Sequence, residues 1–306
     1  MSRAVSGERR AASRLISLVE NDPEARLKIM SLLYLRPGKA HILGITGPPG
    51  CGKSTLIAKL ARSYREKNAT VGIIAVDPSS QVTRGAMLGD RIRMSELSSD
   101  SKVFIRSMAT RGYFGGVACA TRDVIRILDV LRMDYVIVET AGAGQSDVDV
   151  RNLAHTIVVV TAPGLGDEIQ ALKAGIMEIG DIFVVNKSDR ANADQTMREL
   201  ESTIILSEPA GWRPLVLKTN SITGEGVADV VEAIRQHTEY QQRNLRDTAA
   251  VEREVLYATK RFFEDVALER TRTTGWFKNL CEQVRDRKID SYTAARRLLQ
   301  RALRES

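Results

Sequence analysis

An apolar, β-branched run, Ile42-Leu43-Gly44-Ile45-Thr46, enters a loop of Gly and Pro and leaves it through an amphipathic stretch carrying Leu56, Ile57, Leu60 and Ala61. The loop contains Gly47, Pro48, Pro49, Gly50, Cys51, Gly52, Lys53, Ser54 and Thr55, and it completes G-x-x-x-x-G-K-[ST] from Gly47 to Ser54. A strand, a glycine-rich turn and a helix in that order form a cradle for phosphate. Glycine lets backbone N–H groups approach phosphate oxygens with no Cβ in the way. The helix N-terminus adds positive dipole at the same point. Lys53 is placed to reach the β- and γ-phosphates, and Ser54 offers a hydroxyl to Mg²⁺.

Beyond this loop the chain alternates apolar strands with helical stretches. Strands are expected at His41–Thr46, Val71–Val76, Val103–Arg106, Tyr135–Glu139, Thr156–Thr161, Ile182–Asn186 and Leu215–Thr219, with helices at 54–67, 116–132, 167–179 and 192–206. Near-continuous apolar strands are buried on both faces. The expected fold class is therefore α/β, a P-loop NTPase with a mainly parallel sheet covered by helices on both faces. Residues 1–40 read as an N-terminal helical extension, with Asp22-Pro23 opening its second helix. Residues 41–237 form the nucleotide domain, and 238–306 a C-terminal helical extension whose apolar positions suggest dimerisation.

Composition excludes several classes. No run approaches the length of a bilayer span, and Met1–Arg10 lack a signal-peptide core. Cys51, Cys119 and Cys281 are too few for a disulfide framework, so a cytoplasmic location is expected, with no membrane partner. His41, His155 and His237 are equally scattered, and no zinc or nickel site is expected. The net charge of +7 reads as a solvated Arg-rich surface, since no aromatic residues interleave with a basic stripe and nucleic acid is not expected to bind.

Polar motifs fall at the carboxyl ends of the strands, where ligands of such sheets sit. Asp77 ends the second strand and Asp90 follows in Gly89-Asp90-Arg91-Ile92-Arg93; both carboxylates are candidate Mg²⁺ ligands, with Arg93 a phosphate contact. Glu139 ends a buried strand and Gly142 follows, in the place where an acid holds the magnesium shell and a glycine amide senses a γ-phosphate. Loss of that phosphate would release 140–149, a candidate switch. Ala143 follows Gly142 directly and Gln145 comes later, so slow intrinsic hydrolysis, raised by a partner, is expected. Asn186-Lys187-Ser188-Asp189 is N-K-x-D. Asp189 can accept from guanine N1–H and N2–H₂, a donor pair that adenine lacks; Asn186 can meet the base edge, and the Lys187 stem can cover the ring. Asn220, Ser221 and Ile222 read as a loop capping guanine with backbone amides. Gly164–Asp167 opens a further helix as a hinge, a candidate mobile element.

Together these motifs resemble the MeaB/ArgK family of metallochaperone-related P-loop GTPases. The resemblance rests on G-P-P-G-C-G-K-S-T at 47–55, V-D-P-S-S at 76–80, G-D-R-I-R-M at 89–94, E-T-A-G-A-G-Q-S-D at 139–147, P-G-L-G-D-E-I-Q-A-L-K at 163–173 and N-K-S-D at 186–189. It implies a homodimeric GTPase that binds GTP, GDP and Mg²⁺. It also implies a chaperone that gates cofactor loading into an adenosylcobalamin-dependent acyl-CoA mutase of methylmalonyl-, isobutyryl- or hydroxyisobutyryl-CoA type, and protects that mutase. By the same resemblance Lys53, Asp77, Asp90 and Glu139 serve hydrolysis. Ser54, Asp77, Asp90 and Glu139 serve the metal. Gln145 lies in a switch loop, and Asp167, Gln170 and Lys173 lie in a third switch. Ala141, Ala143, Asp147 and Asn220-Ser221 depart from the more usual pattern.

Competing expectations are a kinase of a transport-system binding protein, a metal-delivery GTPase for nickel enzymes, and a ribosome- or nucleic-acid-associated factor. N-K-x-D argues against the first and the scattered Cys and His residues against the second. Net charge alone carries the third.

Overall fold

The computed structural model describes residues 8–77, 95–109, 120–140, 150–165, 177–206, 211–244, 251–252, 255–259 and 275–304. The chain divides into two units, Met1–Asn244 and Leu245–Ser306.

In the first unit, β1 (His41–Thr46), β2 (Val71–Asp77), β3 (Val103–Ala109), β4 (Tyr135–Glu139), β5 (Thr156–Thr161), β6 (Ile182–Asn186) and β7 (Leu215–Thr219) form one seven-stranded sheet. Its order is β3-β2-β4-β1-β5-β6-β7, and every neighbouring pair is parallel. All seven strands stand where the apolar runs put them. Two are longer, because β2 and β3 stay in register through Asp77 and Ala109.

The helices of this unit are α1 (Arg9–Asn21), α2 (Pro23–Tyr34), α3 (Lys53–Glu66), α4 (Ser95–Ser98), α5 (Thr121–Val130), α6 (Ala193–Leu206) and α7 (Val227–Asn244). Side chains alternate along each strand, so each strand feeds two cores. Leu43, Ile45, Ile73, Ile137, Val158 and Val184 meet α3 and α7 on one face. On the other face, Ile42, Ile74, Val136 and Val138 meet α1, α2 and α5. Ile157, Val159, Phe183 and Val185 meet α6. Each fully buried Leu, Ile or Phe contributes about 1.5–3 kcal/mol. Losing α3 or α7 would therefore uncover the face that carries the phosphate loop.

The N-terminal helices belong to this packing. Ala12, Leu15, Ile16 and Val19 of α1 recur at helical spacing and are buried. Ser17 and Glu20 bind Arg106 of β3, which fixes α1 across the sheet edge. Asp22 caps α2 by accepting from Ala25 N at 2.9 Å, with Pro23 as the first helical residue. The connector to β1 is held at Ala40 N, which donates to Asp129 Oδ1 at 2.8 Å.

α7 runs through position 237 to Asn244. His237 is buried, and His237 and Tyr240 contact the Trp212 ring, so the same helix that closes the sheet continues past it. In the second unit, α8 (Gly275–Arg285) and α9 (Ser291–Arg304) are described. Asp290 caps α9 by accepting from Thr293 N at 2.9 Å, and the Arg301 guanidinium lies 4.9 Å from the Trp276 ring centroid. Among the described residues no helix is long and apolar enough to cross a membrane.

Candidate nucleotide site

β1 stands at the centre of the sheet between β4 and β5, and the phosphate loop leaves its carboxyl end. In an open parallel sheet this is where a crevice forms. Two glycines fix the loop's course. Gly47 has φ +135°, and a Cβ there would lie 1.9 Å from the Val160 carbonyl oxygen. Gly52 has φ +101°, and its Cβ would lie 2.3 Å from Asn186 Nδ2. Both positions exclude any other residue.

Cys51 is fully buried and belongs to the core beneath the loop. Burial pushes its thiol pKa up. The side chain thus anchors the loop from below, and the ligand side is left to backbone. Lys53 is buried and donates to the carbonyls of Gly47 at 2.7 Å and Pro48 at 3.1 Å. Its ammonium therefore sits against the loop it serves. Pro49 and Gly50 are exposed and Thr55 is half-buried.

Ser54 Oγ donates to Glu139 Oε1 at 2.6 Å, and both residues are buried. The register Ile45↔Glu139 and Ala75↔Glu139 sets the acid at the end of β1 and two residues short of Asp77. A hydroxyl and a carboxylate side by side, with a second acid ending the next strand, form a set of hard oxygen donors. That set fits Mg²⁺, which takes one or two carboxylates together with phosphate oxygens and water. Only the backbone of Asp77 is described. Asp90, Arg93, Gly142, Gln145, Asp167, Gln170 and Lys173 lie outside the described residues, as do most of the helix expected at 167–179 and Ala141, Ala143 and Asp147.

On the other side of the loop, β6 and β7 deliver the residues expected to recognise the base. Asn186 is buried and uses both ends of its amide within the protein. Its Nδ2 donates to Cys51 O at 2.8 Å, while Oδ1 accepts from Thr219 Oγ1 at 3.1 Å, Ser221 N at 3.0 Å and Ser221 Oγ at 2.8 Å. In this arrangement Asn186 joins the phosphate loop to the 219–221 loop. Lys187, at φ +59°, donates to Gly50 O at 2.6 Å, which lays its stem along the loop. Asp189 is exposed and accepts from Asn220 Nδ2 at 3.0 Å. The backbone amides of Ser221 and Ile222 are engaged by Asn186 Oδ1 and Asn220 Oδ1. Ile222 carries its side chain outward at 80% exposure.

The three histidines that stand far apart in sequence are gathered by the fold, which corrects the expectation of scattered residues. His41 and His155 ring centroids are 5.4 Å apart. Thr156 Oγ1 bridges His41 Nε2 at 2.9 Å and His237 Nδ1 at 2.8 Å. This cluster lies at the amino ends of β1 and β5, opposite the phosphate loop. Among the described residues no group of three His, Cys, Asp or Glu side chains has metal-binding geometry.

A glycine loop that suits phosphates, hard oxygen donors beside it and an aspartate just after β6 thus stand at the carboxyl ends of neighbouring strands, the arrangement a nucleoside polyphosphate needs. Comparison with known proteins agrees. The family model for "Methylmalonyl Co-A mutase-associated GTPase MeaB" matches residues 12–275. A Pyrococcus abyssi protein whose name places it provisionally among GTPases is 44% identical over 306 residues, 98% of this chain and 94% of its own. The mouse "Methylmalonic aciduria type A homolog, mitochondrial" is 33% identical over 251 residues, 76% of this chain and 60% of its own. The crystal structure of an LAO/AO transport system kinase shares the fold at TM-score 0.71 and 24% identity, covering 98% of this chain and 95% of that one. The chain therefore belongs to the MeaB family of mutase-associated P-loop GTPases.

Proposed function

We propose that this GTPase acts as a guanine-nucleotide-dependent chaperone of an adenosylcobalamin-dependent acyl-CoA mutase, gating cofactor loading and protecting the loaded enzyme. The observation that carries the reading is the match of the mutase-associated family model over residues 12–275. The name of the mouse relative points toward methylmalonyl metabolism in the same sense. Isobutyryl- and hydroxyisobutyryl-CoA mutases remain within the proposed partner class. The working form is a homodimer in the cytoplasm.

In this reading Lys53 and the amides after Gly47 hold the β- and γ-phosphates, while Asp189 accepts from guanine. Ser54 and Glu139 would hold Mg²⁺ with Asp77 and Asp90, and the ion would supply neutralisation of charge on the phosphate oxygens. The buried Ser54–Glu139 pair is preorganised and needs no rearrangement of the chain to present two oxygens. Asn186 ties the base loop to the phosphate loop, so guanine and phosphate act on one rigid body. The switch segments 140–149 and 163–173 carry the response to the partner.

The test is GTP hydrolysis by the purified protein with and without candidate acyl-CoA mutases, with ATP as control. Slow GTP turnover raised many-fold by one mutase is expected. Turnover indifferent to every mutase would remove the chaperone reading and leave the GTPase.

A further inference from the structure

The end of α7 meets the amino ends of β1, β5 and β6 through a chain of polar groups in which each proton has one place. His237 is 2% exposed and Thr156 is fully buried. Asp181 Oδ2 accepts from Ile157 N at 2.7 Å, which leaves Oδ1 to face His237 Nε2 at 3.4 Å. A carboxylate there favours the Nε2–H tautomer, so Nδ1 accepts, and the Thr156 hydroxyl donates to it at 2.8 Å. Thr156 Oγ1 in turn accepts from His41 Nε2–H at 2.9 Å. Thr238 agrees with this direction. Its hydroxyl donates to Ile234 O at 2.7 Å, which leaves its oxygen as an acceptor 3.2 Å from His41 Nε2. Trp212 Nε1 donates to Asp181 O at 2.9 Å, and the Trp212 ring packs on His237 and Tyr240. Gln241 donates to the His155 carbonyl.

An added proton fits nowhere in this chain. On His237 Nδ1 it would turn the Thr156 hydroxyl toward His41 Nε2, where a ring hydrogen already points. On Asp181 Oδ1 it would meet the His237 Nε2–H. We infer that the last two turns of α7 are an acid-releasable latch: imidazoles that bond in place only when neutral hold residues 237–244 on the sheet, and their protonation in solvent frees that helix end while the nucleotide domain stays folded. The chain passes from Asn244 into the second unit, so the latch decides whether that connection leaves from a fixed helix end.

The charges around the latch do not replace the lost bonds. Lys39, near His41 in sequence, pairs with Asp134 at 3.8 Å, and Glu239 of α7 is held by Arg235. Asp129 and Arg151 act through space on His155 and Asp181. Tyr135 meets His41 edge-on, and burial keeps its phenol neutral. Asp181 is the carboxylate set against a ring nitrogen. Burial holds His41 and His237 well below the free imidazole value, so each takes up a proton on release below pH 6.5. Burial raises Asp181 to about 6, so release below that pH returns one proton. Two protons gained and one lost leave one. Release should therefore grow about tenfold per unit of pH between about 6 and 4.5.

Hydrogen exchange of the full chain, read by mass spectrometry, measures release as the protection factor of amides 238–244, with α3 as internal control. The wild type is expected to lose about tenfold protection per pH unit at 238–244, with α3 unchanged. His237→Asn keeps an acceptor toward Thr156 and removes one titrating ring, so its protection should be flat with pH. Asp181→Asn removes the opposing carboxyl, so its slope should steepen to about a hundredfold per unit. A purely structural contact would change the level of protection and leave the slope alone. Protection at 238–244 that holds or rises as pH falls would overturn the latch. So would a loss shared equally by α3, which reports opening of the whole domain, or an unaltered slope in His237→Asn. If that variant does not fold, the slope of Asp181→Asn decides.

Discussion

Asn186 Nδ2 lies 2.8 Å from the Cys51 carbonyl oxygen and donates to it. That bond spans a sequence separation of 135 residues and joins the ends of β1 and β6 across the sheet. Cys51 is anchored in the core below, and Asn186 Oδ1 holds the 219–221 loop above. The phosphate loop and the 219–221 loop are thus one hydrogen-bonded piece.

Replacing Asn186 by alanine should break both halves at once. Thr219 Oγ1, Ser221 N and Cys51 O would be left buried without this partner, at about 1–3 kcal/mol for each group that stays unsatisfied. The expected result is a melting temperature lowered by about 5 °C or more and GDP affinity reduced at least about tenfold. Calorimetric melting and GDP titration on the same sample would measure it. A variant that melts normally and binds GDP normally would show that the two loops hold their places independently.

Glu139→Gln keeps the size of the side chain and an oxygen for Ser54 Oγ, but removes the negative charge beside the phosphate loop. GTP hydrolysis should fall by about 10²–10³-fold, the usual effect of removing one electrostatic contributor from a preorganised site. The Mg²⁺ concentration for half-maximal rate should rise. GDP binding without Mg²⁺ should change little. A variant with wild-type turnover and wild-type Mg²⁺ dependence would remove Glu139 from the metal set.

The histidine cluster predicts a direction of acid sensitivity. Burial, aided by the other two rings, lowers His41 to about 3, and burial lowers His237 to about 4. His155 is lowered by burial as well. Each ring is neutral when folded and takes up a proton near pH 6.5 when unfolded. Their stabilising contribution is present above pH 6.5 and is lost as pH falls from there toward 4. Asp181 opposes this: burial raises it to about 6, so its contribution grows as pH falls through that value. Three rings outweigh one carboxyl. The melting temperature is expected to be flat above pH 7 and to fall between pH 6.5 and 4, with a shallower fall in His237→Asn. A melting temperature that holds or rises down to pH 4 would refute the account.

Much of this molecule was legible in the order of its residues. The seven strands, the phosphate loop and the N-K-x-D turn are local patterns, each set within a few residues by β-branched runs, by glycines at positive φ and by strand-end polar residues. Their joint order also carried the family resemblance. Periodicity could not find the end of α7, because the helix is held past position 237 by Trp212, a residue from a distant connection. Nor could spacing reveal that His41, His155 and His237 meet. They come from β1, the entry to β5 and α7, and parallel crossovers bring those elements together across 196 positions of sequence.

The same division runs through the site. The residue types at 53, 54, 139, 186 and 189 were fixed by chemistry that sequence displays: an ammonium, a hydroxyl, two acids and an amide at strand ends. Which atom binds which was decided by tertiary structure. Asn186 offers two amide hydrogens and one oxygen, and sequence left them all available; the fold gives one hydrogen to Cys51 and the oxygen to Thr219 and Ser221. Asn220 read as a source of backbone amides, and the fold turns its side chain onto Asp189. Local patterns specify what the chain offers at each strand end, while hydrogen-bond partners depend on which ends the parallel sheet sets side by side.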